Sequence, residues 1–516
     1  MRQTRKGVSL SSWFERRGIL DTLRQLLAER SVEGYLVGGY VRDKLLKKWT
    51  HDLDLAVGVE AIELARQAAN LLGGAFVLLD EERQTARVVL SDGEERYYVD
   101  FASLRGDDVE TDLGGRDFTI NAMAIDLQET GPQARLIDPY GGEQDLENKV
   151  VRAVSDRIFF DDPVRLLRAA RLEAELGMFI ESGTAHLMQR DSHLIKESSA
   201  ERARDELCKT LGTVRAEASL RHLDELGILC LLIPELEALR GVEQPPPHHE
   251  DAFEHSLSTV GGLDRVFGAI ECLAEGGREP AAGDDTSERE MWDHFAVALG
   301  PFVPHLLAHL RQRVVDDRSR SMLLKVAGLL HDSGKGTTGK VDEGGRIRFF
   351  GHAEEGPAVA ARVLRRLRFG NREVRLVRTV ISHHMRPLHL AKQDQITPRA
   401  THRFFRDTRG TGVDVLLHSL GDNLVILDRR NQVGEWARMC DTVAELLERY
   451  YEEYEEVIRP PSLVTGHDLV SGLGIEPGPL VGRLLRAIQE AQVTGKVSTK
   501  EEALRLGETI IADDRQ

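Results

Sequence analysis

A chain of 516 residues is too long for one hydrophobic core, so three or four domains are expected. With 41% hydrophobic and 30% charged residues it has the balance of a soluble globular protein, and no apolar run reaches the ~20 residues of a membrane span. A formal net charge of −17 excludes binding of nucleic acid over the whole surface, so any such site has to be a local basic patch.

The N-terminal "MRQTRKGVSLSSWFERRG" is basic but has no apolar stretch or small-residue cleavage site, so no signal peptide is expected. "GYLVGGYVRDKLL" reads as a strand, a Gly-Gly turn and a helix start. "DLDLAVG", "AFVLLD", "ARVVLSD" and "RYYVDFAS" read as strands, and "VEAIELARQAANLLGG" as a helix among them. Residues 155–240 carry apolar residues at helical spacing, and "EQPPPHHEDAFEH" (243–255) marks a boundary. Residues 250–435 are again mostly helical, around an exposed insert at 275–289 that is poor in hydrophobics. "VIRPPSLVTG" (457–466) precedes a helical tail. The scattered Cys208, Cys230, Cys272 and Cys440 form no CxxC pair, against a disulfide framework and for a reducing, cytoplasmic setting.

Asp52 and Asp54 stand two apart in the strand, so both carboxylates face one side, opposite Leu53, Leu55 and Val57. Such a pair repels itself unless it holds cations, and Mg²⁺ takes one or two carboxylates plus phosphate oxygens. Just upstream, Gly38 and Gly39 open a helix, where free N–H groups and close backbone approach favour phosphate, and Arg42 adds a cation. A metal pair beside a phosphate cradle fits nucleotidyl transfer. Taken alone, a DxD pair is more often a solvated strand face and Gly-Gly a plain turn; the ordered set is what carries weight.

The series "GGYVRD…HDLDLAV…GRDFTINAMA…DPYGGEQDL…DDPVRLLRAARL" resembles the class II tRNA nucleotidyltransferase family: CCA-adding enzymes, their CC- and A-adding relatives and bacterial poly(A) polymerases. The resemblance covers about residues 20–245. It implies an α/β head of the nucleotidyltransferase (DNA polymerase beta-like) superfamily followed by all-α neck, HD and tail domains. In this family Asp52 and Asp54 would be Mg²⁺ ligands, with Asp100 a possible third. Gly38, Gly39, Arg42 and Asp43 would shape the triphosphate site, and Arg116, Asp117 and Asn121 would contact sugar and phosphate. The partners implied are tRNA, CTP and ATP, with no DNA and no membrane.

Residues 159–172, "FFDDPVRLLRAARL", offer a way to choose a base without a template. Asp162 can cap a helix starting at Pro163, with Arg165 and Arg168 following at helical spacing. Cytosine and adenine both carry an amino donor beside a ring-nitrogen acceptor, so a carboxylate and a guanidinium can read both, while uracil and guanine would face Asp162 oxygen to oxygen. Asp162 and Arg165 match the family's protein template, and Arg168 and Arg171 belong to the same nucleotide-binding helix. Three departures stand out. Gly115 replaces the first of two arginines, Leu172 stands where the family tends to have Phe, and the span from Phe101 to Arg116 is short. The family's flexible loop in that span is linked to the switch to A addition, so its shortness resembles CC-adding enzymes.

A second constellation lies downstream: His255, His331-Asp332, His352, His383-His384 and Asp422. Imidazoles and carboxylates together suit a divalent metal that activates water against a phosphate ester. The set resembles the HD phosphohydrolase superfamily over about 250–430. That implies a metal (Mg²⁺, Mn²⁺, Ni²⁺ or Fe²⁺) on His255, His331, Asp332 and Asp422, with His352 and His383 accessory; His384 is an alternative to His383. For RNA, the arginine-rich 361–378 and 399–410 are the clearest basic patches. The expected division is 1–150 head, 151–245 neck, 246–435 HD domain and 436–516 tail. The reading is a nucleotidyltransferase adding C and/or A to the tRNA 3′ end, leaning to CC addition, with an HD phosphohydrolase activity. The alternatives are a poly(A) polymerase acting on generic RNA and a non-catalytic RNA-binding regulator, against which the intact DLD argues.

Overall fold

The computed structural model describes residues 13–93, 95–129, 135–277, 286–315, 318–341, 347–349, 351–428 and 433–513. Of the insert expected at 275–289, residues 278–285 lie outside these, and a helix already starts at Thr286. The first twelve residues, most of the basic N-terminal stretch, also lie outside them. The chain divides into two compact units, Met1–Ser199 with His222–Leu231, and Ala200–Arg221 with Leu232–Gln516. No helix of the described residues is long and apolar enough to cross a membrane.

The first unit is built on a seven-stranded sheet. Its strands are β1 (Gly34–Val37), β2 (Asp52–Val57), β3 (Ala75–Asp80), β4 (Thr85–Asp92), β5 (Glu95–Ser103), β6 (Ala124–Asp126) and β7 (Leu136–Ile137), in the order β3-β4-β5-β2-β1-β6-β7. All the predicted strands are present, and among the described residues of this sheet only β2 and β5 pair in parallel. Leu53, Leu55 and Val57 are buried as the alternation requires. The parallel register sets Asp52 beside Tyr98 and Asp54 beside Asp100, so three carboxylates share one face of the sheet. Helix α1 (Gly38–Leu45) springs directly from β1, whose last residue, Val37, pairs with Asp54. The phosphate cradle expected from the glycines therefore opens next to the acidic face. Helix α2 (Ala61–Leu72) packs its alanine stripe against β4 and β5. Helix α3 (Arg165–Leu176) begins two residues later than expected: Val164 is its N-cap, and Asp162 is extended, its backbone carbonyl accepting from the Arg165 N–H at 3.1 Å.

The second unit is helical. Those that matter for the site are α4 (Ala252–Ala274), α5 (Arg320–Leu330), α6 (His352–Arg366), α7 (Asn371–His383), α8 (Pro398–Thr408), α9 (Gly412–Asp428) and α10 (Val433–Glu452). Asp251 caps α4 by accepting from the Glu254 N–H at 2.8 Å, which fixes the turn carrying His255. Helices α4 and α9 cross at two glycines. A Cβ on Gly262 would lie 2.2 Å from the Gly421 carbonyl oxygen, so only glycine permits this approach. Helix α5 is buried from Met322 to Leu330, and its end delivers His331 and Asp332 into the interior. The tail helices α11 (Gly466–Leu473), α12 (Pro479–Val493) and α13 (Lys500–Asp513) share a small core around Leu469, Leu484 and Ile488.

Candidate active sites

In the first unit the glycines, aspartates and arginines expected at the nucleotide site lie together. Gly38 has a left-handed φ of 67°, and a Cβ there would sit 3.0 Å from both Asp54 Oδ2 and Arg116 Nη1. The position demands glycine twice over, for conformation and for space. A Cβ on Gly39 would make ordinary contacts only, so close backbone approach by a ligand is the remaining reason for a glycine there. Burial, then the neighbouring Asp100, push the Asp54 carboxyl up to about 6. An acidic pair strained in this way is a fit for a cation. Asp100 is already gripped by Arg87 through two 2.7 Å hydrogen bonds, which compete with its role as a third ligand.

Behind the carboxylates runs a buried network. Arg42 donates to Asp43 and to Asn121 Oδ1, each at 2.8 Å. Asn121 donates to Asp117 Oδ1 at 3.0 Å, and Arg168 to Asp117 Oδ2 at 2.9 Å. Burial acts to raise the Asp117 carboxyl, but Arg168 and these hydrogen bonds hold it well below the usual range. Arg116 pairs with Asp112 at 3.0 Å. Arg165 reaches the Gly115 carbonyl at 2.9 Å and lies 3.9 Å from Asp162, while its buried Nε–H has no acceptor. Arg171 turns to Glu175 on its own helix. The sequence reading missed Arg87, Asp112 and Arg105, because their roles are set by cross-strand register and turn closure.

In the second unit, His255 Nε2 lies 2.9 Å from Asp422 Oδ1 although the two are 167 residues apart. His331 Nε2 lies 3.3 Å from Asp332 and 3.7 Å from Asp422. Two groups are tight enough to hold a metal ion, His255–His331–Asp422 and His331–Asp332–His384. His331, His352 and His384 each present Nδ1 to a carbonyl, of Gly328, Phe349 and Ile381, at 2.7 to 2.8 Å. That fixes the Nδ1–H tautomer and leaves Nε2 as the ligating atom. His352 Nε2 and Asp332 Oδ1 are buried without a partner. Burial opposes charge on His331, yet Asp332 and Asp422 raise it to about 9, so the cluster favours positive charge at this point. Lys335 donates to Asp332 at 2.6 Å and to Gln244 at 2.6 Å. A cavity of about 800 Å³ opens over this cluster and is lined by His248, His255, Lys335, His352, His384 and Asp422, among others.

One expectation is corrected here. His384, not His383, faces the cluster. Successive helical residues point about 100° apart, so only one of the pair can face inward. His384 is buried in the site, whereas His383 is half-buried and lies by Arg386 and Asp407. Two histidines went unrecognised. His248 sits in the Pro-rich boundary with its ring 4.7 Å from that of His255. His418 lies one turn before Asp422 on α9, fully buried, both nitrogens unpartnered, its ring 5.3 Å from that of His331. The i, i+4 spacing to Asp422 was a usable signal for it. The patch at 399–410 is partly used within the fold: Arg399, Arg403 and Arg406 all bind Glu490 of α12 at 2.7 to 2.9 Å, and Phe404 and Phe405 are buried.

Known proteins match along most of the chain. Residues 34–152 match the "Poly A polymerase head domain", 177–239 the "Probable RNA and SrmB- binding site of polymerase A", 305–405 the "HD domain" and 426–506 the "tRNA nucleotidyltransferase domain 2 putative". A Thermotoga maritima CCA-adding enzyme complexed with tRNA has the same fold, with a TM-score of 0.55 at 21% identity over 96% of each chain. The A-adding tRNA nucleotidyltransferase of Deinococcus radiodurans is 32% identical over 91% of this chain and 93% of its own. The CC-adding tRNA nucleotidyltransferase of Thermus thermophilus is 31% identical over 91% and 92%. Identity on that scale, over nearly the whole of each partner and across both sites described above, makes this chain a member of the tRNA nucleotidyltransferase family.

Proposed function

We propose that the first unit adds C residues, from CTP, to the 3′ end of tRNA and stops before the terminal A. The observation behind this reading is the segment between β5 and Arg116. It holds a five-residue connection and one short helix, Val109–Gly114, and is braced throughout. Asp108 caps that helix through the Thr111 N–H at 2.8 Å, the Arg105 N–H donates to Asp112 at 3.2 Å, and the Arg105 guanidinium holds the Gly115 carbonyl at 2.7 Å. A segment tied down in this way leaves little room for the mobile arm that the family links to A addition. Arg105 also sets a guanidinium beside Gly115, where the family carries an arginine side chain.

The tRNA 3′ oxygen attacks the α-phosphorus of the triphosphate, and the bond to the bridging oxygen breaks to release pyrophosphate. The N–H groups at the start of α1 receive phosphate. Arg42, fixed by Asp43 and Asn121, keeps positive charge at that helix without swinging away. Asp162 accepts from the amino group of the base, and the acceptor-free Nε–H of Arg165 donates to its ring nitrogen. Mg²⁺ held by Asp52 and Asp54 would supply activation of the 3′ hydroxyl and charge stabilisation of the leaving group. We further propose that 1–150 serves as head, 151–245 as neck, 246–435 as HD domain and 436–516 as tail.

For the HD domain we propose hydrolysis of phosphate esters, with 2′,3′-cyclic phosphates and 2′-phosphates as the substrate class. The ligands would be His255, His331, Asp332, His352, His384 and Asp422. A divalent metal there would supply a hydroxide at neutral pH, and Lys335 holds and charges the Asp332 carboxylate.

The test is incorporation of labelled CTP and ATP on tRNA ending before CCA, after the first C and after CC. Two C residues and no A are expected. A terminal A added efficiently to tRNA ending in CC would transfer the reading to A or CCA addition, which the Deinococcus relative favours. Extension of unstructured RNA with ATP would instead make the head a poly(A) polymerase.

A further inference from the structure

Helices α6 and α7 pack as a hairpin, and the stretch 361–378 across it holds seven arginines and one glutamate. Two of the arginines are used within the fold: Arg366 grips Glu235 through hydrogen bonds of 2.6 and 2.7 Å, and Arg368 lies 3.7 Å from Glu201. The glutamate, Glu373, is fully buried and bound to Arg318 and to the Gly370 N–H. What remains exposed is Arg362 and Arg365 on α6 and Arg372, Arg375 and Arg378 on α7, each set spaced by three. None of the five forms an ion pair with a described residue. The acidic Glu354 and Glu355 stand in the first turn of α6, at the other end of that helix.

Helix stability accounts for Arg365, in the last turn of α6, but not for the set. Arg372 sits in the first turn of α7, where the helix dipole disfavours a cation. Arg362 faces Glu235, which Arg366 already pairs, and the other four have no ion pair with a described carboxylate; five exposed arginines held this way in a chain of net charge −17 mark a surface for a polyanion. No large hydrophobic or aromatic residue is exposed on the described parts of α6 and α7. Unstacked bases are held on aromatic platforms, so the face lacks the means to bind a single strand. We infer that the five-arginine face of the α6–α7 hairpin binds the phosphate backbone of a double-helical stem of the tRNA substrate. This rests on the tRNA reading above and adds a docking surface outside both chemical sites.

The test uses the full-length protein with R362Q, R365Q, R372Q, R375Q and R378Q combined, and a second variant with lysine at all five. Affinity for tRNA lacking its CCA end is measured by fluorescence anisotropy across a salt series, and thermal unfolding confirms that each variant folds. The glutamine variant should bind roughly tenfold or more weakly at about 0.1 M salt, with the slope of log Kd against log salt lowered by about four to five. The lysine variant should keep both. Unchanged affinity and slope in the glutamine variant, or an equal loss in the lysine variant, would overturn the inference. Competition by unstructured RNA as strong as by duplex RNA would overturn the assignment to a stem. Wild-type protein that fails to bind tRNA at all would bring down the tRNA reading itself, a result separate from the other three.

Discussion

The two sites gather their candidate metal ligands by opposite means. In the head, Asp52 and Asp54 come from one strand, and Asp52 is exposed, so most of a metal's shell is left to water and the triphosphate. In the HD domain, imidazoles and carboxylates converge from helices far apart in the chain, and His255, His331, Asp332, His384 and Asp422 are all buried. The first arrangement borrows ligands from its substrate, as suits a metal that travels with a nucleotide. The second owns its ligands, as suits a resident metal that turns over water. The comparison therefore predicts that dialysis without chelator empties the head and leaves the HD site loaded, read by elemental analysis.

The largest effect should come from the head. On the proposed mechanism Asp54→Ala removes a metal ligand that stabilises charge in the transition state, several kcal/mol or about a thousandfold in nucleotide addition. Addition on tRNA is the measurement, and phosphoesterase activity should be untouched. Activity within tenfold of wild type would remove the strand pair from the mechanism. The mirror experiment is the double change His331→Ala with Asp332→Ala. Bound metal should fall to background and phosphoesterase activity vanish, while nucleotide addition continues. Loss of addition in a folded double variant would show that the two chemistries are coupled.

A smaller contrast tests the histidine pair. His384→Ala should weaken metal binding by at least about tenfold, because an imidazole facing the cluster is lost. His383→Ala should leave metal content unchanged. The reverse result would mean that the helix end turns by one residue when metal binds.

The difference between the sites also explains what could be read from sequence. Strand alternation brings Asp52 and Asp54 together with no tertiary structure, so their shared face was legible, as was the glycine-opened helix beside them. Asp100 next to Asp54 was half legible: its strand was clear, but the parallel register that pairs the two is a tertiary fact. In the HD domain the residue types were visible, but which of two adjacent histidines points inward depends on the phase of α7, and His418 looked like one more residue of an apolar helix. The basic patch at 399–410 was half legible, because Glu490, which takes up part of its charge, comes from a helix some ninety residues on. Charge in sequence shows what a surface could attract, and only packing shows whether the fold has already used it.

Gly38 offers a finer test of the head. Gly38→Ala forces a side chain into left-handed backbone, at a cost of about 1–2 kcal/mol, and pushes a methyl against Asp54 and Arg116. We expect a thermal midpoint lower by a few degrees and nucleotide addition reduced about tenfold, the loss appearing in kcat because the displaced Asp54 is needed for chemistry. Gly39→Ala should barely change stability, since its Cβ has room, and should instead raise the KM for triphosphate. Equal effects from the two substitutions would show that the cradle tolerates side chains and that close backbone approach is not how phosphate is held.

The smallest effect concerns the spent basic patch. Glu490 takes hydrogen bonds from Arg403, Arg406 and Arg399; the bond from Arg403 leads, burial opposes, and the carboxyl falls to about 2 from an ordinary 4.5. A carboxyl lowered on folding contributes stability that is complete above its unfolded value and disappears as pH falls through its folded one. Glu490→Gln should therefore lower the thermal midpoint at neutral pH by a few degrees, about 1–2 kcal/mol given that the arginines are partly exposed. The gap between variant and wild type should close as pH drops from about 4.5 towards about 2. A gap that stays constant across that window would mean that Glu490 acts through packing and not charge. Freed of Glu490, Arg399 and Arg403 would also be available to RNA, while Arg406 keeps Asp407 at 3.0 Å. Tighter tRNA binding by Glu490→Gln, with a steeper salt dependence, would show that this patch lies along the RNA path after all; unchanged binding would leave the α6–α7 face as the basic surface that matters in the second unit.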